Sequence, residues 1–457
     1  MFRGQYLRAA TAERPTSNAQ RRITETRKPP THPRNRPKQG VFETALTAWS
    51  LHSSAIRRSA FGARRWAFPL LCILASSSTA NAVVDLGIDV LEQSNYGILK
   101  GKRVGLVTNQ TGANRKGIKT RMLLRQNCNL VALYTPEHGL DGIEKAGKYV
   151  KSRKDGKTGV MAYSLYGPTR KPTRDMLRGV DVLVFDMQDI GCRGYTYIST
   201  MGKCMEAAGE NNIPFVVLDR PNPLGGNRIE GPSVESRWIS FVSAFPVPYV
   251  HGMTVGELAK MVNAKGWAGA RCDLTVIPMQ GWSRDMLWGD TLLRWIPTSP
   301  NIPRVDSVFG YLVTGMVGEL SGVDTGVGGP APFESVSATG LNAQSFTRNL
   351  NSLGLSGIQF RPLSRGRQQG CYFSMSRNPE TNLTGVGVYM LAEINRASRN
   401  SLFRKSSSSK LDLFFKVYGS ASIRSEIERG VSPSRIVTSW RDNETRFRAA
   451  RAPYLLY

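Results

Sequence analysis

The sequence predicts an α/β fold built on a mostly parallel sheet, and three observations support this prediction. Short apolar runs rich in β-branched residues alternate with amphipathic helical patterns along the first half of the chain. The run at residues 180–185 is apolar throughout, which is typical of a strand covered on both faces. Four of the runs end in polar clusters. Strands that alternate with helices favour parallel pairing through right-handed crossovers.

Strand and helix signals follow one another regularly up to Pro223. A helix is predicted at residues 117–126, and a helical turn capped by Thr173 leads into the central run. A longer helix begins near Tyr195, with Ile198 and Met201 on its apolar face. The predicted strands cover residues 103–108, 130–134, 163–166, 180–185 and 214–218.

Beyond Pro223 the pattern is looser. Thr254 and Glu257 have the spacing of a capping box in front of a helix, and residues 274–277 predict a strand. Alternating segments at residues 358–363 and 386–391 predict further strands, and helical patterns follow. We therefore interpret residues 83–274 as the larger domain and residues 275–457 as a smaller mixed α and β domain. A cleft between them is the natural place for a substrate.

The N-terminal 82 residues hold 14 Lys and Arg but only 3 Asp and Glu, and so supply +11 of the net charge of +27. Residues 1–56 predict a disordered basic extension, whereas residues 57–82 have the charged start, short apolar run and A-x-A end of a signal peptide. We expect cleavage after Ala82, export to the periplasm or beyond, and no membrane-spanning segment afterwards. Because such signals stand at the N-terminus, residues 1–51 are either untranslated or removed. A nucleic-acid-binding tail fits the charge but not the export signal.

Cysteine and glycine patterns argue against metal and nucleotide sites. Five cysteines remain after processing, without a C-x-x-C pair, so we expect free thiols, with a Cys192–Cys204 disulfide as the alternative. Only two histidines remain, which makes a zinc site improbable. The first strand is not followed by G-x-G-x-x-G, and the glycine-rich residues 322–329 lack the lysine of a phosphate loop.

The polar strand exits predict the position of a functional site. In a parallel sheet, strand ends of one polarity lie along one edge, and ligands bind there. Three of the four exits contain carboxylates. The exits read TNQTG at residues 108–112, TPEHG at 135–139, FDMQDIG at 185–191 and LDRPNP at 218–223.

Further motifs occur in a fixed order along the chain, among them YSLYG, RKPT, YTYISTM, EGP, HGMTVGELA, SPNIP and YLLY. Together with the four exits, they resemble the exo-β-N-acetylmuramidases, a family long catalogued as a domain of unknown function. The resemblance covers essentially the whole mature chain. It implies a Rossmann-like N-terminal domain, a smaller β-rich C-terminal domain and an active cleft between them. It also implies release of N-acetylmuramic acid from non-reducing ends of peptidoglycan fragments, without a cofactor.

Glycoside hydrolysis usually needs a protonated carboxyl group and a second carboxylate. We predict Glu137 as the acid, because its position at a strand end, beside His138, would raise its pKa by partial burial. His138 is included with it among the predicted catalytic residues. The alternative is a carboxylate that caps the next turn. The partner carboxylate remains open among Asp186, Asp189, Asp219 and Glu230. A route assisted by the substrate's own acetamide would need only one acid and an orienting group.

Substrate binding is predicted for residues around the same edge. Arg193 and Arg220 are placed to grip the lactyl carboxylate of muramic acid, or to pair with Asp189 or Asp219 instead. Tyr195, Tyr197 and Asn222 are candidates to bind sugar hydroxyls, and a role in packing is the equal alternative. His251 precedes a helix, and its alternative role is structural. The remaining predicted binding residues are Asn109, Gln188, Asp219, Glu230 and Glu319.

The chain departs from the family pattern at residues 318–329. This loop keeps Glu319 and the following PFE but lacks the family's arginine, and a tryptophan usually found after PFE is missing. The change bears on the outer sugar subsites. It leaves one alternative function, a non-catalytic protein that binds cell-wall muropeptides. A second alternative, a nucleotide-dependent enzyme, follows from the sheet alone.

Overall fold

The computed structural model describes residues 83–457, so the predicted basic extension and signal peptide lie outside the described residues. The strands are β1 (Arg103–Thr108), β2 (Asn129–Thr135), β3 (Arg153–Lys154), β4 (Met161–Ser164), β5 (Val182–Asp186), β6 (Phe215–Leu218), β7 (Glu230–Ser233), β8 (Pro248–Val250), β9 (Leu274–Ile277), β10 (Val323–Asp324), β11 (Ser335–Thr339), β12 (Ile358–Arg365) and β13 (Gln368–Met375). The helices are α1 (Gly87–Gln93), α2 (Thr120–Asn127), α3 (Tyr197–Glu210), α4 (Val255–Lys265), α5 (Val305–Thr314), α6 (Ala343–Asn351), α7 (Leu383–Ala397), α8 (Leu402–Lys405), α9 (Ser408–Tyr418), α10 (Ser422–Glu428), α11 (Pro433–Thr438) and α12 (Arg441–Arg451).

The larger sheet has the strand order β3-β4-β2-β1-β5-β6-β9. All its neighbouring strands run parallel except the β3–β4 pair. The predicted mostly parallel sheet is therefore confirmed. The order reverses direction between β1 and β5, and β5 lies near the middle, as its continuous apolar run indicates. The carboxyl ends of β1, β2, β5 and β6 consequently meet at one edge.

Side chains of β5 alternate between two apolar layers. Val182 and Val184 pack in the layer that contains α1 and α2, whereas Leu183 and Phe185 pack in the layer that contains α3 and α4. Because successive side chains of a strand point to opposite faces, a strand that is buried on both faces must be apolar at every position. Helices therefore cover both faces of the sheet.

The second layer continues into the C-terminal region, which contains an antiparallel sheet of order β10-β11-β13-β12. Helix α6 packs on β12 and β13, and α5 packs on β11 and α7. The apolar side of β12 shows the period of two that the sequence predicts, with Ile358 and Phe360 buried. The predicted smaller region of mixed helices and strands is confirmed.

One predicted strand is wrong. Residues 386–391 belong to α7, where Asn382 caps the helix by accepting a hydrogen bond from the Gly385 backbone N–H. The alternation of Gly387 with valines suggested a period of two. The glycine instead allows close helix packing, since a Cβ at this position would lie 2.5 Å from the Val313 carbonyl oxygen of α5.

The C-terminus returns to the larger sheet. The Tyr457 hydroxyl donates to Asp219 Oδ2 over 2.7 Å and accepts from the Met279 backbone N–H over 2.8 Å. The Leu456 N–H donates to Glu257 Oε1 over 2.9 Å. The last residues of the chain are therefore part of the packing at the end of β6.

Candidate active site

Glu137 lies half-buried just after β2, and both of its carboxylate oxygens accept hydrogen bonds. The Gly147 backbone N–H donates to Oε1 over 2.7 Å, and the Thr196 hydroxyl donates to Oε2 over 3.0 Å. Thr196 is the residue that precedes α3, so the carboxylate lies at the N-terminus of that helix. These bonds fix the orientation of Glu137. Each carboxylate oxygen of Glu137 has a further lone pair that can accept a hydrogen bond from a substrate.

Tyrosines surround this carboxylate. Burial and the charge of Glu137 raise the pKa of Tyr166, and Arg170 lowers it, so both charged groups lie near Tyr166. Burial raises the pKa of Tyr311 well above its usual range, with Glu319 and Glu137 both adding to the rise. Glu319 is half-buried, and burial raises its pKa while Lys410 acts in the opposite direction. Glu137 and Glu319 thus both lie in the surroundings of Tyr311.

The predicted tyrosines Tyr195 and Tyr197 pack edge to face, with ring centroids 4.8 Å apart. The Tyr195 hydroxyl donates to Thr298 Oγ1 over 2.9 Å, and the Tyr197 hydroxyl donates to the Thr298 carbonyl oxygen. Both side chains are buried. Their contacts connect the start of α3 with the segment that precedes α5.

His138 has a structural position beside Glu137. Its backbone adopts a left-handed conformation, with φ of 69°, and its Nδ1 lies 2.7 Å from the Glu144 carbonyl oxygen. Because a carbonyl oxygen only accepts, Nδ1 carries the proton. The imidazole therefore closes the turn that leads from Glu137 towards Gly147.

Asp186 forms a buried ion pair with Arg220, with Arg220 Nε 2.6 Å from Asp186 Oδ1. Thr120 donates to the other carboxylate oxygen, and Arg220 also donates to the Ala113 carbonyl oxygen. Arg220 thus pairs with Asp186, and not with Asp189 or Asp219 as the sequence suggested. A buried ion pair with these additional bonds holds the exits of β1, β5 and β6 together.

Three of the predicted residues keep unused polar atoms at this edge. Asn109 Oδ1 accepts from Thr111, and Gln188 Nε2 donates to the Pro221 carbonyl oxygen over 2.7 Å. Among residues 83–457, no hydrogen-bond partner is found for Asn109 Nδ2, Gln188 Oε1 or Asp189 Oδ1. Burial raises the pKa of Asp189 to about 7. The Gly191 N–H donates to its other oxygen over 2.7 Å.

Gln188 and Arg220 also line a cavity of about 340 Å³. Its wall includes the indole rings of Trp288 and Trp295 and the side chain of Lys119. Burial lowers the pKa of Lys119, and nearby cations add to this effect. The cavity keeps these two predicted binding residues within reach of a small polar molecule, so their role in binding stays a prediction.

Arg193 is completely buried, and its guanidinium donates all its hydrogen bonds to other groups of the protein. It donates to the carbonyl oxygens of Pro232, Val247, Val417 and Tyr418 and to Ser243 Oγ. Neither Asp189 nor Asp219 is its partner, contrary to the alternative considered from the sequence. Arg193 joins α9 to the larger domain, and no donor is left for a substrate carboxylate.

Four further predicted residues hold the fold. Asp219 accepts four hydrogen bonds, from Thr254, Tyr457 and the backbone N–H groups of Arg220 and Gly256. Asn222 bonds backbone groups of Met253 and Leu224. Glu230 pairs with Arg228 and accepts from Thr384. Burial lowers the pKa of His251 to about 3, and its Nδ1 accepts from the Met253 N–H.

The described residues contain little that would hold a metal. Within residues 83–457, no group of three or more His, Cys, Asp or Glu side chains is arranged for a metal ion. The five cysteines in this range are free, as predicted, and the alternative Cys192–Cys204 disulfide is not formed. None of the helices described is long and apolar enough to cross a membrane.

Comparison with known proteins identifies the family. Two family models match in succession: exo-β-N-acetylmuramidase NamZ, N-terminal, over residues 104–306, and exo-β-N-acetylmuramidase NamZ, C-terminal, over residues 309–457. The chain belongs to the NamZ exo-β-N-acetylmuramidase family. The family resemblance drawn from the sequence motifs is thereby confirmed.

Individual members of the family are similar over most of their length. The peptidoglycan β-N-acetylmuramidase NamZ of Bacillus subtilis (strain 168) is 42% identical over 385 residues, which is 82% of this chain and 91% of that protein. Two crystal structures of DUF1343 family proteins from Bacteroides fragilis each cover 82% of this chain and 99% of their own. They have TM-scores of 0.76 and 0.63 at 42% and 29% identity.

Several residues of the site were not predicted from the sequence. Thr196, Tyr166 and Arg170 lie within the motifs that carry the family resemblance, but their spacing did not reveal that Thr196 bonds Glu137 or that Arg170 stacks on Tyr166. Tyr311 lies in α5, in a stretch where the sequence did not predict a helix.

Proposed function

We propose that this protein is a glycoside hydrolase that releases N-acetylmuramic acid from non-reducing ends of peptidoglycan fragments, and that it acts outside the cytoplasm. The similarity to the B. subtilis muramidase over 91% of that protein carries the proposal. The non-catalytic alternative has less support, because the similar protein is an enzyme and an oriented carboxyl group, Glu137, lies at the edge of the sheet. The substrates are accordingly peptidoglycan fragments.

Glu137 is suited to donate a proton to the leaving oxygen. The Gly147 N–H can only donate, so Oε1 is the unprotonated oxygen and the acid proton belongs on Oε2. The Thr196 hydroxyl beside Oε2 can either accept or donate, and it therefore tolerates both states of the acid. After proton transfer, this hydroxyl and the N-terminus of α3 stabilise the resulting carboxylate.

Glu319 is our candidate for the second carboxyl group. Among the partners considered from the sequence, Asp186, Asp219 and Glu230 have their oxygens occupied by the fold. Asp189 keeps one oxygen without a partner among the described residues and stays the alternative. Glu319 shares the surroundings of Tyr311 with Glu137, and it lies on the turn after α5, in the C-terminal family region. It would stabilise the positive charge that develops on the sugar ring.

A comparison of two leaving groups tests these roles. We expect Glu137→Gln to lower kcat/KM for a muramyl disaccharide by about 10²–10⁴-fold, because its alcohol leaving group needs protonation. The same variant should cleave 4-nitrophenyl β-N-acetylmuramide within about tenfold of wild type, since nitrophenolate leaves without a proton. Glu319→Gln should lower both rates alike. Steady-state kinetics with both substrates measure these effects.

Glu144→Gln is the matched control, because Glu144 is exposed in the same loop and should leave both rates unchanged. An equal loss on both substrates in Glu137→Gln would remove the acid role from Glu137. If wild type binds muropeptides in calorimetry but mass spectrometry detects no product, the protein is a binding protein and the hydrolase proposal fails.

A further inference from the structure

The proposed substrate carries a negative charge close to the bond that breaks. N-acetylmuramic acid differs from N-acetylglucosamine by a lactyl ether on the third carbon, which adds one carboxylate. A site that selects this sugar needs a cation beside the acid. The charge of Arg220 is already paired with Asp186, and the guanidinium of Arg193 is fully bonded to the protein.

Arg170 is the candidate for this cation, because its guanidinium forms no ion pair within the described residues. It follows β4 in the loop that leads to the central strand, and its side chain is half-buried. The neighbouring Lys171 pairs with Glu206 and Glu210, with Nζ 3.0 Å and 2.7 Å from their carboxylate oxygens. Among residues 83–457, no carboxylate lies within the 4.0 Å that would make an ion pair with Arg170.

Two aromatic rings hold the Arg170 guanidinium. Its central carbon lies 4.0 Å from the centroid of the Tyr166 ring and 4.2 Å from that of Phe241. The two ring centroids are 6.2 Å apart with planes inclined by 55°, so the guanidinium sits in the corner between them. Attraction to the ring faces and contact on two sides fix its position before any ligand binds.

Tyr166 connects this corner to the acid. Burial raises the pKa of the Tyr166 hydroxyl, the charge of Glu137 adds to this rise and Arg170 opposes it, so both charged groups lie near Tyr166. The Tyr166 backbone carbonyl also accepts a hydrogen bond from the Val150 N–H over 3.1 Å, which joins the loop after Glu137 to the segment that carries Arg170. Tyr166 is therefore close both to the Arg170 guanidinium and to the proposed acid.

We propose that Arg170 binds the lactyl carboxylate and thereby selects N-acetylmuramic acid over N-acetylglucosamine. The proposal rests on the proposed function. A planar guanidinium can donate two parallel hydrogen bonds to a carboxylate, and it keeps its charge at any physiological pH. Arg170 is in this sense a specificity-determining residue.

A pair of substrates that differ only in this charge tests the proposal. One is 4-nitrophenyl β-N-acetylmuramide, and the other is its lactyl methyl ester, which is neutral. We expect Arg170→Gln to lower kcat/KM for the acid by about 10- to 100-fold, mainly through KM, because a hydrogen bond to a charged group is lost. The ester should change by less than about threefold. Arg170→Lys should restore part of the activity on the acid.

Arg174→Gln is the control, because Arg174 is an exposed arginine four residues further along the same loop. Equal losses on the acid and the ester in Arg170→Gln would overturn the proposal. Calorimetric binding of free N-acetylmuramic acid distinguishes a wrong role for Arg170 from a wrong assignment of the protein as a hydrolase. Binding that depends on Arg170 in a protein without hydrolysis would refute only the hydrolase, whereas binding that does not depend on Arg170 would refute only its role.

Discussion

At the scale of single residues, two buried groups make the stability depend on pH in opposite directions. Burial raises the pKa of Asp189 to about 7, so folding favours its protonated form. Burial lowers the pKa of His251 to about 3, so folding favours the neutral imidazole. The stability due to neutral His251 is present above its unfolded pKa of about 6.5 and is lost as the pH falls towards 3.

Replacement of Asp189 by asparagine should flatten the pH dependence above pH 4. In the wild type, the stability due to protonated Asp189 is complete below its unfolded pKa of about 3.9 and is lost as the pH rises through about 7. Asp189→Asn keeps a neutral acceptor for the Gly191 N–H. The free energy of unfolding of Asp189→Asn, relative to that of the wild type, should therefore rise as the pH increases from 5 to 8. Urea unfolding measures this difference.

The upper bound for this gain is about 4 kcal/mol, since each unit of pKa shift corresponds to about 1.4 kcal/mol. Asp175→Asn is the control, because Asp175 is exposed and should not change the pH dependence. Parallel stability curves for the wild type and Asp189→Asn would show that Asp189 is ionised in the folded protein throughout this range.

At the scale of elements, the start of α4 is the best-defined junction of the molecule. Thr254 caps the helix by accepting from the Glu257 N–H, and Glu257 accepts from the Thr254 N–H in return. The Thr254 hydroxyl also donates to Asp219 Oδ2 over 2.7 Å. Gly256 is required here, because a Cβ would lie 2.7 Å from Asp219 Cγ. The capping box thus ties α4 to the end of β6.

Thr254→Ala should lower the free energy of unfolding by about 2–3 kcal/mol. The substitution removes an N-cap and also takes a donor away from the buried Asp219 carboxylate. Ser407→Ala, which removes the exposed N-cap of α9, should cost about 1 kcal/mol or less. Urea unfolding of both variants measures the difference. Thr254→Ser keeps both bonds and should be close to wild type, and a large loss in Thr254→Ser would contradict the assignment.

At the scale of the whole molecule, one apolar layer runs from the larger sheet into the C-terminal region. It joins Phe185 of β5 to Phe346 of α6 and Phe447 of α12. Hydrogen bonds from Arg193 and from the C-terminal Tyr457 also join the same regions. The two family regions therefore share a core, and contacts made by one stabilise the other.

The first described residues follow directly after the predicted signal-peptide cleavage site and are bound to the rest of the fold. Val84 is completely buried, and its N–H donates to the Thr291 carbonyl oxygen over 3.2 Å. Asp85 forms a bridge with Gln280. Cleavage after Ala82 would keep these contacts. We expect the mature protein to begin at Val83, as N-terminal sequencing of the exported protein determines. A mature N-terminus upstream of residue 57, or retention of the protein in the cytoplasm, would refute the export proposal.

Local patterns predicted the parallel strands of the larger sheet, because strands such as β5 that are buried on both faces are apolar along the whole run. The residues of β1 and β9 agree with their predicted bounds, and the capping box of α4 is present. No strand was predicted at β3, β7, β8, β10, β11 or β13. Residues 386–391 failed because glycines that permit close helix packing produced the alternation of a strand. A period of two arises from either cause, and only the neighbouring helix distinguishes them.

The sequence by itself determined the α/β class, the edge at which the polar exits meet, the family and Glu137 as the candidate acid. These follow from periodicity, from strand polarity and from ordered motifs, all of which are local in the chain. Only the tertiary structure decided that Arg193 and Asp219 hold the fold, that Arg220 pairs with Asp186, and that Arg170 keeps a free charge beside Tyr166. The physical reason is that a charged side chain takes its role from the partners that folding brings within about 4 Å, and these lie far away in the sequence.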